Sequence, residues 1–106
     1  MQHGISSSAE SWVNSYDDSL APYLVDLGFD VWLANNRGSI YSRFHLYLDE
    51  FDDAYHGYSF YEYGEYDIPA EIEFVLNKSD HDQLTFIGHS LGNAQMFSAL
   101  AYNNYD

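Results

Sequence analysis

Two short apolar runs, each closed by a glycine-bearing turn, alternate with segments of helical period, and this alternation limits the fold more than any other feature. Phe29-Asp30-Val31-Trp32-Leu33-Ala34 is β-branched and aromatic and ends in Asn35-Asn36-Arg37-Gly38. Leu84-Thr85-Phe86-Ile87 ends at Gly88. Both are short and apolar on both faces, the pattern of buried strands. A stub, Met1-Gln2, runs into His3-Gly4 and the serines at 6 to 8. Between the runs, Leu20, Tyr23, Leu24 and Leu27 recur at i, i+3, i+4 and i+7, with Asp17, Asp18 and Ser19 to start a helix and Gly28 to stop it. Ile68, Ile72, Val75 and Leu76 mark a second helix face. Pro69 sits in its first turn, or at a kink if the helix begins near Ser59. A third helix is predicted from about Gly92 to Tyr102, on Ala94, Phe97 and Ala101. The order predicts an α/β fold, with a parallel sheet of about three strands joined by right-handed crossovers and flanked by helices. The tyrosine-rich acidic stretch between Arg37 and Ser59 has no usable period.

Length and charge narrow the rest. The 106 residues fit a single domain, 1–106. An apolar content of 46% excludes a disordered tail. Three basic against 17 acidic residues give a net charge of −14, which repels phosphate backbones and anionic headgroups. Nucleic-acid binding is excluded. With no cysteine there is neither a disulfide nor a thiolate metal site. No apolar run approaches the roughly 18 residues of a transmembrane segment, and Met1-Gln2-His3-Gly4 is not a secretory leader. Asp49, Glu50, Asp52 and Asp53 lack the spacing of a calcium loop and read as solvated. Asn77-Lys78-Ser79 is a glycosylation sequon, relevant only on the secretory route. No metal and no cofactor is expected.

The chemistry lies after the last run, at Gly88-His89-Ser90-Leu91-Gly92. A G-x-S-x-G turn between strand and helix holds its serine in a strained conformation, and the glycines let strand and helix pass close by. Ser90 is thereby set at a helix N-terminus, where free N–H groups favour developing negative charge. His3-Gly4-Ile5 follows the stub strand, where α/β-hydrolases carry a second donor loop, so the backbone N–H groups of Leu91 and Ile5 are the expected oxyanion hole.

The residues resemble the gastric and lysosomal acid lipases, neutral-lipid esterases of the α/β-hydrolase fold. The strings that carry the resemblance are Gln2 to Gly4, Gly28 to Gly38, Tyr58 to Phe60, Tyr66 to Ala70 and Gly88 to Gly92. The resemblance implies a partial α/β-hydrolase core running from oxyanion loop to nucleophile elbow. Ser90 would be the nucleophile, Ile5 and Leu91 the oxyanion donors, and Gly88, His89 and Gly92 the elbow. It also implies a triacylglycerol or steryl ester substrate and a secreted or lysosomal location. Leu91 stands where the family usually has glutamine, which a backbone donor tolerates. His56 replaces a usual tryptophan.

In this fold the triad follows the order Ser, Asp or Glu, His. Only 16 residues follow Ser90, and none is histidine. His3, His45, His56 and His81 all precede it. A serine without a base is a poor nucleophile, so the chain by itself is expected to be inactive. Two function classes fit the residues. One is a serine esterase or lipase, acylated at Ser90 in a parent chain that supplies the acid and the histidine. The other is a non-catalytic hydrolase fragment or scaffold bound to a protein partner, since uncovered sheet faces and unpaired edges predict marginal stability alone.

Overall fold

The computed structural model describes residues 1–103; the last three residues of the expected 1–106 domain lie outside it. Four α-helices follow in chain order: α1 (Leu20–Asp26), α2 (Phe60–Glu62), α3 (Ile68–Ser79) and α4 (Leu91–Asn103). Short 3₁₀ turns occupy Ala9–Trp12, Tyr16–Asp18 and Asp53–His56.

Helix α1 lies where the periodicity placed it. Gly28 closes it at φ +92°, and its N–H donates to Val25 O at 2.9 Å. Ser19 occupies the N-cap position, but its Oγ accepts from Ser15 N at 2.9 Å and does not cap the helix. The apolar stripe is not buried: Leu20, Tyr23 and Leu27 are exposed, and Ala21 is the buried residue.

The second helical segment starts at Ser59. Its hydroxyl and the Glu62 carboxylate form a reciprocal capping box around the first turn. Helices α2 and α3 are joined by a π-helical turn, Tyr63–Asp67, in which the Ile68 N–H reaches back five residues to Tyr63 O. Pro69 explains the wide turn, because proline supplies no N–H and its ring crowds the carbonyl one turn earlier. The turn sets Gly64 against α4: a β-carbon there would stand 2.5 Å from Ser98 Oγ and 2.9 Å from Ala99 N. Ser98 Oγ also donates to Phe60 O at 2.7 Å. Helix α4 therefore buries Gly92, Gln95 and Ala99, while Phe97 is 70% exposed. The expected face, Ala94, Phe97 and Ala101, is rotated away from the contact because its partners are backbone and a glycine.

The expected parallel sheet does not form as ladders of strands. Among the described residues the strand pairing is one isolated parallel bridge, Gln2 to Gly88. The stub nevertheless lies between the two apolar runs. Gln2 N–H donates to Ile87 O at 2.8 Å and His89 N–H to Gln2 O at 3.0 Å. On its other side the Met1 amino group donates to Trp32 O at 2.7 Å, and Ala34 N–H donates to Met1 O at 3.0 Å.

The unassigned stretch is anchored through the π turn. Arg37 forms a two-pronged pair with Asp67, with Nε 2.6 Å from Oδ2 and a second contact from Nη2 to Oδ1, and its guanidinium lies 5.5 Å over the Tyr58 ring. The buried apolar residues are Ala21, Tyr55, Tyr63, Ile68 and Ala99. A radius of gyration of 14.5 Å exceeds the roughly 13 Å of a closed domain this long. An open groove of about 830 Å³ runs between the apolar runs and α3, lined by Leu24, Phe29, Trp32, Ile72, Val75 and Phe86.

Candidate active site

Ser90 is exposed and holds φ +52°, a left-handed conformation that costs a residue with a β-carbon about 1–2 kcal/mol. The neighbours enforce it. A β-carbon on Gly92 would stand 2.5 Å from Gln2 O, and one on Gly88 would stand 2.8 Å from Asn93 N. Both glycines of the G-x-S-x-G turn are therefore required by space, one where α4 passes the stub and one where the last run passes α4. The helix closes at once behind the serine, with Asn93 N–H donating to Ser90 O at 3.1 Å.

The bridge at Gln2 brings the second expected loop to the same place. A β-carbon on Gly4 would lie 3.2 Å from Ser90 Cβ and 3.0 Å from His89 Nδ1, so only glycine lets the loop approach this closely. Ile5 follows, 73% exposed, and Ser6 is again left-handed at φ +54°. Among the described residues the N–H groups of Ile5 and Leu91 have no acceptor. Leu91 is the first residue of α4, where no intrahelical partner exists. Gly4 thus lies directly against Ser90, with Ile5 next to the one and Leu91 next to the other in the chain. A strained serine turn leading into a helix and facing a glycine loop is a feature of hydrolase elbows.

A family model described as alpha/beta hydrolase fold matches residues 1–104. The chain belongs to that family. It is 45% identical over 103 residues to a tear acid lipase-like protein of Mesocricetus auratus, covering 96% of this chain and 26% of that protein. It is 40% identical over 102 residues to the human lysosomal acid lipase/cholesteryl ester hydrolase, covering 95% and 26%. With the human gastric triacylglycerol lipase it shares 39% identity over 104 residues, covering 97% and 26%. The chain spans about a quarter of the length of these curated relatives.

No histidine among the described residues hydrogen-bonds Ser90. His3 precedes Gly4 and is 1% exposed. Both its ring nitrogens are engaged: Nε2 accepts from Asn36 N at 3.0 Å and Nδ1 lies 2.8 Å from Gly4 O. His45 Nδ1 accepts from Tyr47 and Leu48 N–H groups. His56 Nε2 contacts Glu50 O at 2.9 Å. His81 Nδ1 contacts Ser79 O at 2.7 Å beyond the end of α3. His89 is exposed on the elbow itself.

Beneath the elbow lies a buried polar cluster that the sequence pattern does not signal. Gln2, His3, Asn36 and Gln95 are each 5% exposed or less. The Asn36 Oδ1 accepts from Gln2 Nε2 at 2.6 Å and from Gln95 Nε2 at 2.7 Å. Asn35-Asn36 reads as a turn in sequence. The available signal was Gln95, an amide one turn into a helix of mostly small and apolar residues.

Proposed function

We propose that Ser90 is the nucleophile of a carboxylic ester hydrolase acting on neutral lipids, with Ile5 and Leu91 as the oxyanion donors. The observation that carries this reading is the left-handed Ser90 between two glycines that have no room for a β-carbon. Ser90 Oγ attacks the ester carbonyl carbon as its proton passes to a base, and the carbonyl oxygen gains charge opposite the two N–H groups. Collapse expels the alcohol, which takes up that proton, and water then releases the acid from the acyl-enzyme. The base in this reading is a histidine from outside residues 1–103, since none within hydrogen-bonds Ser90.

The net charge of −14 favours uncharged substrates over anionic ones. Together with relatives named for triacylglycerol and cholesteryl esters, this supports a triacylglycerol or steryl ester and a secreted or lysosomal setting. In this reading the bridge at Gln2 is the seed of a parallel sheet that further chain would extend.

In the full-length protein that carries these residues, an alkyl fluorophosphonate should label Ser90, and Ser90→Ala should abolish the labelling. Labelling that survives in the alanine variant would show the assignment to be wrong. Residues 1–106 alone should hydrolyse a p-nitrophenyl ester no faster than background. Robust turnover lost in Ser90→Ala would overturn that expectation. The engaged histidines favour the second reading, a non-catalytic scaffold, which predicts no labelling even in the full-length protein.

A further inference from the structure

We propose that Asn36 is a positioning residue that fixes the two oxyanion donors relative to each other, an inference that rests on the Ser90 reading. The two donors belong to different parts of the chain: Ile5 to the loop after the stub, and Leu91 to the start of α4. Their spacing must hold for both to meet one oxygen, and Asn36 lies beneath both.

The link to Ile5 runs through a histidine ring. Asn36 N–H donates to His3 Nε2 at 3.0 Å, so Nε2 is the unprotonated nitrogen. The ring proton then resides on Nδ1, which donates to Gly4 O at 2.8 Å. Gly4 C=O and Ile5 N–H share one rigid peptide plane and point in opposite directions. Fixing the carbonyl on His3 therefore fixes the direction of the Ile5 N–H. Asn36 Nδ2 also donates to His3 O at 3.4 Å; its 3.2 Å approach to Nδ1 joins two donors and is only a contact.

The link to Leu91 runs through Gln95. Asn36 Oδ1 accepts from Gln95 Nε2 at 2.7 Å, and Gln95 lies one turn into α4 from Leu91. The same oxygen accepts from Gln2 Nε2 at 2.6 Å, beside the bridge that carries the loop. One side-chain oxygen thus ties loop and helix together. The arrangement leaves Gln2 Oε1 and Gln95 Oε1 buried without a hydrogen-bond partner. Aiming both amides at one acceptor sacrifices two others, and such local sacrifices are expected where position matters more than stability.

The test uses full-length protein labelled with nitrogen-15 at isoleucine, leucine and histidine. In the unmodified protein His3 should be the Nδ1–H tautomer. Asn36→Ala should shift the Ile5 and Leu91 amide resonances together, while Gln95→Ala should shift Leu91 and leave Ile5 in place. With an ester substrate, Asn36→Ala should lower kcat roughly 10- to 100-fold at unchanged KM, the scale of a misplacement near 1 Å. Asn36→Asp retains the Oδ1 acceptor and should recover part of the loss, which also covers an alanine variant that fails to fold. A folded Asn36→Ala with unmoved Ile5 and Leu91 resonances overturns the proposal, as does kcat within about twofold of the parent. If both resonances move but Ser90 is never labelled, the tie stands and the esterase reading falls.

Discussion

Gly92→Ala is expected to lose about 2 kcal/mol of stability or more, although alanine is the better helix former by about 1 kcal/mol. The added carbon would stand 2.5 Å from Gln2 O and 3.0 Å from Gln2 C, both backbone atoms held by the bridge to Gly88. No side chain can rotate aside to make room. Either α4 backs away from the stub or the bridge opens, and overpacking of this kind costs about 3 kcal/mol when the obstacle is rigid. Both responses also separate the Gly4 loop from Ser90, so labelling of the serine should collapse with stability. Gly28→Ala is the control. Gly28, unlike the helical Gly92, is left-handed at φ +92°, and nothing lies within 4 Å of its missing β-carbon. That variant should lose only the conformational cost of about 1 kcal/mol and leave Ser90 labelling intact. Urea midpoints of the two variants separate strain from collision. A Gly92→Ala chain as stable as the parent would mean that α4 and the stub are not held at this distance.

The contrast between these glycines also explains what could be read from the sequence. The need for glycines on either side of Ser90 was legible from their spacing, and the structure supplies the collision that each avoids. The helix starts and stops were legible where a local device sets them, as at Ser59 with Glu62 and at Gly28. Burial was not legible. The stripe on α1 is present in sequence, yet Leu20, Tyr23 and Leu27 face outward because nothing in residues 1–103 covers them. On α4 the pattern pointed to Phe97, while the contact is made by Gly92, Gln95 and Ala99 against a π turn and a backbone bridge. Hydrophobic period identifies a buried face only where the neighbouring surface is apolar. The strands failed for another reason, since an apolar run becomes a ladder only when enough partner residues lie beside it. The amide cluster under Ser90 was invisible because Gln2, Asn36 and Gln95 share no period and meet only in the folded chain.

Stability should fall as pH rises from about 4.5 to about 7, with Glu71 as the cause. Glu71 lies on α3, one turn after Asp67, and its carboxyl is pushed up from 4.5 to about 7. Burial is the main cause and the Asp67 charge the second; a hydrogen bond from Gln2 and the Met1 amino charge oppose them. The folded chain therefore keeps a proton that the unfolded chain releases near pH 4.5. The stabilisation from this group is fully present below that pH, drains through the window and is gone above about pH 7, a total of at most about 3 kcal/mol. Glu62 acts in the opposite direction. The Ser59 hydroxyl and backbone N–H hold its carboxyl below the usual range, so its contribution is lost as the solution becomes more acidic than pH 4.5. Between the two, the chain should be most stable near pH 5. Glu71→Gln removes the titration while keeping the shape. The variant should be more stable than the parent at neutral pH and level with it near pH 5, with a flat profile between. Urea midpoints across this range decide the matter: a parent chain whose stability is flat, or rises toward neutrality, would show that Glu71 is ionised in the fold.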